Sequence, residues 1–358
     1  MRRRRYGADQ AYRGRRKGSV VLKALVVLLA LLLAAGVLFL LFVPKEYTDD
    51  GVRVRLPWLT EEEPDQEAPI DPSALIVTDS PSPSPSPTPE PLAVTAALEV
   101  SADAVTDGTA AGLAGQAGAD ALVVSVKDEE GNLAWQSDQE LALDTMNGDA
   151  AFNQAVSQLA QDGQLRLVAR LSAFQDLWAS VYDRSLAITT GSGELWYDSE
   201  GMSWLSAARQ EARDYLTVLC LELAELGFDE ILLEHAGFPD QGRLTAIGAG
   251  ENYPAQGRED TVGAFLQDLS QALEEAGATL SVLVSNEELT GASADSGVTA
   301  ASLAGISGRV WTTAETGPDA LTAALTGAEM EDGADRLVLI GEVPAELAWT
   351  GSTAALLD

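Results

Sequence analysis

The sequence predicts an α/β fold: a TIM-barrel-like (β/α) barrel, with a C-terminus short for regular closure, behind an N-terminal transmembrane helix and a Pro-rich stalk. Three observations predict it. Apolar runs of strand length alternate with helical patterns from residue 92 onward, which implies a parallel sheet with crossovers. Most of these runs are nearly continuous Val, Leu, Ile and Ala, as strands buried on both faces should be. About 265 residues with seven countable strands fit a barrel better than a doubly wound sheet, and no Gly-x-Gly-x-x-Gly follows any strand.

In chain order, residues 1–23 form a basic tail: Arg2, Arg3, Arg4, Arg5, Arg13, Arg15, Arg16, Lys17 and Lys23 face a single acid, Asp9. Residues 24–43 are an unbroken apolar run of twenty, enough to cross a hydrocarbon core of about 30 Å. A cleaved signal peptide is the competing reading. Its apolar region would be shorter, roughly 7–15 residues, and would end in a small-x-small site. Here the run ends Leu-Phe-Val-Pro-Lys, which favours an uncleaved single-pass anchor in the cell membrane. The positive-inside rule puts the tail in the cytoplasm and everything after Pro44 outside. Residues 44–91 read as an acidic and Ser/Pro-rich linker. Its Ser-Pro repeats at 80–91 favour extended polyproline II, a spacer of about 3.1 Å per residue.

Residues 92–358 carry the barrel domain. Strands are expected at 93–100, 121–126, 165–171, 230–234, 280–285, 309–313 and 337–341. The helix expected at 207–226 turns Tyr215, Leu216, Leu219, Cys220 and Leu223 inward. The one expected at 261–276 shows Val262, Phe265, Leu266, Leu269 and Leu273 at helical spacing, with Gly277 at the C′ position. Only about 17 residues follow the seventh strand, too few for a normal helix and an eighth strand. The sequence therefore predicts a barrel that is incomplete at its C-terminus, or closed irregularly.

Composition excludes several function classes. Past Lys23 the chain carries 13 basic against 54 acidic residues, a surface that repels nucleic acid and anionic polymers. Cys220 is the only cysteine and sits in an apolar helix, so it reads as a small buried residue and no intrachain disulfide can form. His235 is the only histidine, which rules out multi-histidine metal sites and leaves catalysis mainly to carboxylates. No EF-hand spacing appears, so no metal or other cofactor is expected.

In a barrel, the residues that matter follow each strand. Strand two ends at Lys127 and Asp128, strand three at Arg170, strand four at Glu234-His235, strand six at Trp311 and strand seven at Glu342. Glycoside hydrolysis needs such carboxylates: one protonates the leaving oxygen while another attacks or activates water. Glu234 leads as catalytic acid/base, with Asp128 and Glu342 as candidates for the second carboxylate and Lys127 and Arg170 as orienting groups. Trp196, Trp204 and Trp311 offer flat faces for sugar rings, although an aromatic is more often core.

These residues fall in segments that resemble a known family. Val123-Val124-Ser125-Val126-Lys127-Asp128-Glu129-Glu130-Gly131 is similar to its V-I-D-V-K-D-D-x-G strand. Val168-Ala169-Arg170-Leu171-Ser172-Ala173-Phe174-Gln175-Asp176 is similar to I-A-R-I-V-V-F-K-D. The run from Trp196 to Trp204 resembles a Trp-acid-x-x-Gly-x-x-Trp segment, and residues 227–239 resemble G-F-D-E-I-Q-F-D-Y-I-R-F-P. The family is the glycoside-hydrolase-like domain of uncharacterised bacterial surface proteins, and the resemblance spans roughly residues 93–343. It implies a (β/α) barrel related to glycosidases, with an inner carboxylate at Glu234. The chain departs from the pattern at Ser125, His235 and Gly237, where the family has aspartate, tyrosine and arginine, and Glu234 stands for its aspartate.

Two functions remain open on the sequence. One is a membrane-anchored extracytoplasmic glycoside hydrolase acting on polysaccharide or cell-wall glycan, with Glu234 and Asp128 catalytic and Lys127, Arg170, Trp196, Trp204, His235, Trp311 and Glu342 around the substrate. The other is a catalytically degenerate barrel that binds a glycan or a surface protein.

Overall fold

The structure is a computed structural model that describes residues 45–48, 51–54, 93, 95–139, 141–142, 147–330, 332–342 and 349–356. The basic tail, the expected membrane span and the Ser-Pro repeats lie outside the described residues. Among the described residues no helix is long and apolar enough to cross a membrane. Within the segment read as linker, Lys45–Thr48 and Gly51–Val54 pair as an antiparallel hairpin.

Eight parallel strands close a barrel within residues 87–358. They are β1 (Ala96–Val100), β2 (Ala121–Lys127), β3 (Arg166–Ser172), β4 (Glu230–Glu234), β5 (Thr279–Leu283), β6 (Val310–Thr313), β7 (Leu337–Ile340) and β8 (Ser352–Ala355). Each pairs with the next, and β8 closes the ring between β7 and β1, with Thr353 opposite both Leu339 and Ala96. The expected incompleteness at the C-terminus is thus corrected: the barrel is closed. Four residues suffice because β1 and β7 each present an unpaired edge, which the short strand satisfies on both sides.

The apolar runs divide by strand alternation into two layers. Ala97, Ala121, Val123, Val168, Leu232, Trp311, Val338 and Ala354 fill the barrel interior as one cluster. Alternate residues such as Leu122, Val124, Leu171, Ile231, Leu233, Val282 and Leu339 face outward into a second cluster shared with the helices. That double burial is why the strands read as continuous apolar runs. The principal covering helices are α1 (Ala102–Thr106), α2 (Ala110–Ala117), α3 (Ala150–Asp162), α4 (Leu177–Tyr182), α5 (Gln210–Leu226), α6 (Arg258–Glu275), α7 (Asn286–Thr290) and α8 (Pro318–Gly327). Helix α5 buries Tyr215, Leu216, Leu219, Cys220 and Leu223, and burial pushes the Cys220 thiol up to about 12, so it is an inert core residue. Gly227 ends α5 at φ 109°, where a Cβ would lie 2.5 Å from the Ala160 Cβ, so glycine serves both turn and packing there.

The amino-terminal pole is filled. The buried Glu230 carboxylate takes Arg166 Nε at 2.8 Å and Arg309 Nη1 at 3.2 Å. It also accepts hydrogen bonds from Ser281 Oγ at 2.6 Å and Trp311 Nε1 at 3.1 Å. Burial lowers the Arg309 pKa even though Glu230 opposes the shift. Trp311 therefore belongs to the barrel interior. The expectation that it faces substrate is corrected: its inward strand position puts it beneath the site.

Candidate active site at the carboxyl end of the barrel

Strand β4 alternates Glu230, Leu232 and Glu234 into the barrel, so its last inward side chain is a carboxylate at the carboxyl pole. Arg170 on β3 lies beside it. Its Nη2 and Nε reach Glu234 Oε2 at 2.8 and 3.2 Å, and its Nη1 reaches Glu99 Oε2 at 3.0 Å. One guanidinium thus joins carboxylates from β1 and β4. Burial opposes the charge on Arg170, but Glu234 and Glu99 outweigh it and raise the arginine pKa.

Three adjoining cavities form a groove over this pole. The first, of about 380 Å³, is lined by Glu99, Ser125, Asp128, Glu129, Arg170 and Glu234. A second, of about 180 Å³, has Glu234, Trp204, His235, Asp240 and Glu288 in its wall. The third, of about 200 Å³, shares Trp204, His235 and Asp240 with the second and adds Gln175, Asp198 and Glu200. Glu234 therefore stands between the two ends of the groove.

The turn after β4 shapes this wall. His235 adopts φ 51°, an unusual conformation for a residue other than glycine. Its Nδ1 lies 3.0 Å from Ser172 Oγ, and its ring meets Trp204 edge-on at a centroid distance of 5.5 Å. At Gly237 a Cβ would lie 2.3 Å from the Ser296 carbonyl oxygen, so the loop after α7 occupies the space where the related sequences carry arginine. Asp198 accepts from Trp204 Nε1 at 2.8 Å and Gln175 Nε2 at 2.7 Å. Burial works against its charge, but hydrogen bonds from Trp204, Met202, Gln175 and Glu200 hold its pKa below the ordinary value. Asp240 moves the other way: burial first, then the nearby Glu288 carboxylate, raises its pKa.

The structure brings Glu234, Arg170, Asp128, Trp204 and His235 to the groove. Asp128 also holds the β2 turn, with Oδ1 accepting from Gly131 N at 2.9 Å and Asn132 N at 2.8 Å, and Oδ2 from Asn132 Nδ2 at 2.8 Å. Lys127 is not at the groove, contrary to expectation. A bulge pairs Ser125 with Arg170 but Lys127 with Leu171, which turns Lys127 outward beneath the helices. There its Nζ donates to Ser172 O at 2.7 Å and pairs with Asp176 at 3.0 Å. Trp196 is buried with Nε1 on Arg243 O at 3.1 Å and packs the supporting loop instead of lining the groove. Glu342 is exposed past β7 and is not among the groove-lining residues. Sequence reasoning missed Glu99 and Asp240. The available signals were a lone acid near the end of an apolar strand and an acid just after the Gly-Phe-Pro turn. Among the described residues no group of three or more His, Cys, Asp and Glu has a metal-holding arrangement.

A closed parallel barrel with carboxylates and an arginine at its carboxyl pole defines a glycoside-hydrolase-like TIM barrel. Residues 98–308, more than half of the chain, match the family described as "Putative glycosyl hydrolase domain", and the chain belongs to that family. Among solved structures, it is similar to the glycoside hydrolase domain of PgaB (BpsB) from Bordetella bronchiseptica. The TM-score is 0.53 at 12% identity, covering 74% of this chain and 94% of that one. It is also similar to a hypothetical protein from Ruminiclostridium thermocellum ATCC 27405, with TM-score 0.44, 22% identity, and 52% and 96% of the two chains covered. A chitinase from Chromobacterium violaceum ATCC 12472 gives TM-score 0.40 at 17% identity, with 70% and 68% covered. No curated protein matches the chain.

Proposed function

We propose that the groove hydrolyses glycosidic bonds of a polysaccharide or cell-wall glycan by carboxylate acid/base chemistry. One observation carries the reading: the groove holds two carboxyls in opposed surroundings. Glu234 is paired with Arg170. Asp240 has no Lys or Arg partner among the described residues, and burial together with Glu288 favours its protonated form. Carboxyls with diverging environments let one site supply both a proton and a negative charge. Asp240 then protonates the leaving oxygen as the glycosidic C–O bond breaks, Glu234 stabilises the positive charge at the anomeric carbon, and water forms the new C–O bond, its released proton returning to the Asp240 carboxylate. The acid role goes to Asp240 because both oxygens of Asp128 are committed to the β2 turn. The apolar run at 24–43 and its basic flank support a single-pass tether in the cell membrane, with the N-terminus cytoplasmic and the barrel outside.

The test uses the full-length chain in detergent with a panel of cell-wall and storage polysaccharides, following new reducing ends. Release should fall by about 10²–10⁴-fold in Glu234→Gln and in Asp240→Asn. No release from any glycan, by a chain shown to be folded, would overturn hydrolysis. A second reading would then hold, that the barrel is a glycan- or protein-binding surface domain. The two Arg170 nitrogens engaged on Glu234 Oε2 favour that reading. It predicts binding without release.

A further inference from the structure

Arg170 serves its two carboxylates unequally. Nε and Nη2 form the fork of a guanidinium that commonly takes both oxygens of one carboxylate. Here both converge on a single oxygen of Glu234, Oε2, at 3.2 and 2.8 Å. Glu234 Oε1 has no hydrogen-bond partner among the described residues, and Glu234 borders two of the cavities. The other side of the guanidinium goes to Glu99, with Nη1 3.0 Å from Oε2 and 3.3 Å from Oε1.

Strands β1 and β3 are not neighbours, so this second contact crosses β2. The crossing falls at Ser125, which stands opposite Arg170 in the register and is small and exposed. The Glu99 side chain is 2% exposed against 20% for Arg170, so the guanidinium is anchored at its buried end.

The charge at this pole depends on how Arg170 is shared. Among the described residues it is the one Lys or Arg in the walls of the two cavities that Glu234 borders. His235, Asp240 and Glu288 line one of these cavities, and Glu99, Asp128 and Glu129 line the other. With both its carboxylates ionised, the Glu99–Arg170–Glu234 group carries one net negative charge. A lone Arg170–Glu234 pair would carry none, and its fork could cover both Glu234 oxygens. A neutral pair offers far less Coulomb attraction to an oxocarbenium-like transition state.

Resting on the hydrolytic reading of the groove, we infer that Glu99 is a positioning residue for the reaction. It holds Arg170 from the far side, keeps the guanidinium on one oxygen of Glu234, and leaves the other oxygen and the net charge to the anomeric carbon. Glu99 acts through Arg170.

Glu99→Gln tests this, since it keeps the size and an acceptor for Arg170 while removing the charge. On a glycan that the full-length parent cleaves in detergent, it should lower kcat by about tenfold or more and leave KM within about twofold. The split follows because the charge acts on the transition state and not on the bound ground state. A second measurement reads the charge without turnover. Isothermal titration compares isofagomine, an iminosugar whose protonated nitrogen stands in place of the anomeric carbon, with 1,5-anhydroglucitol, a neutral ring of the same size. The parent should prefer the cation by about tenfold, and Glu99→Gln should lose most of that preference. Glu99→Asp, which keeps the charge, should keep the preference. The inference would be overturned, with hydrolysis still standing, if Glu99→Gln kept the parent's kcat. A cation preference absent from the parent, unchanged in Glu99→Gln or lost equally in Glu99→Asp would also overturn it. A joint fall in kcat and melting temperature with the cation preference intact would mark Glu99 as structural and overturn it too. No release by the folded parent would overturn hydrolysis and this role with it.

Discussion

Arg170 carries two carboxylates on one guanidinium, one of them, Glu99, with a side chain only 2% exposed. Taking the guanidinium from a buried carboxylate costs more than the pair itself contributes, because the desolvated charge stays behind. Arg170→Met should lower stability by about 3 kcal/mol in a denaturant titration, the low end of the usual range because a fifth of the Arg170 side chain remains in solvent. Adding Glu99→Gln should restore part of the loss. A variant as stable as the parent would mean that other groups carry Glu99. Asp240 presents the opposite case. Its folded pKa is raised above the ordinary value of 3.8, by burial first and then by Glu288, so between those two values the native state binds more proton than the unfolded chain. Its contribution is fully present below pH 3.8 and is lost as pH rises through the folded pKa. Asp240→Asn removes that penalty, so at pH 7 the variant should melt above the parent, with the gap closing in acid. A variant less stable than the parent at pH 7 would show that Asp240 has a structural partner after all. The same substitution should cost activity, a trade-off expected where a site stores unfavourable electrostatics.

Among the elements, β2 shows how a local irregularity redirects chemistry. Without its bulge, strict alternation from Ser125 would aim Lys127 at the groove. With the bulge, Lys127 joins Asp176, which also caps α4 by accepting from Ala179 N at 2.9 Å, and donates to Ser172 O at the end of β3. Lys127→Met should cost about 3–5 kcal/mol because it leaves Asp176 buried without its cation, and Lys127→Met with Asp176→Asn should cost less than the single change. Additive losses would argue against the coupling. The bulge also marks where sequence reasoning stops. Seven strands could be read because both of their faces are buried, and the inward faces of α5 and α6 followed from helical period alone. The eighth, Ser-Thr-Ala-Ala, has little apolar signal, and its strand state depends on the open edges of β1 and β7. Glu234 and Arg170 were legible because they end inward-facing positions of clear strands. Glu99 was not, since what distinguishes it is an arginine 71 residues away. Asp240 follows a turn whose course is set by the distant Ser296 carbonyl, which no local pattern reveals.

For the molecule as a whole, the two poles of the barrel have opposite designs. At the amino pole Glu230 draws Arg166, Arg309 and Trp311 onto one buried carboxylate and closes the interior. The carboxyl pole leaves acceptors facing a groove, on a chain whose formal net charge is −33 at pH 7. Such an excess of one sign repels itself in the compact state, and exposed charges interact over the screening length of the solvent. That length falls from about 30 Å at 0.01 M salt to about 8 Å at 0.15 M. The buried pairs at Arg170, Lys127 and Arg309 lie out of water and are much less affected by screening. Added salt should therefore relieve repulsion without weakening the internal pairs. In a zwitterionic detergent, the melting temperature of the full-length chain should rise between those two salt concentrations. The rise should be similar for sodium and choline chloride, because screening depends on ionic strength and not on cation identity. A melting temperature that stays flat or falls would mean that surface ion pairs outweigh the net repulsion. A rise with sodium alone would instead indicate specific cation binding by the acidic surface.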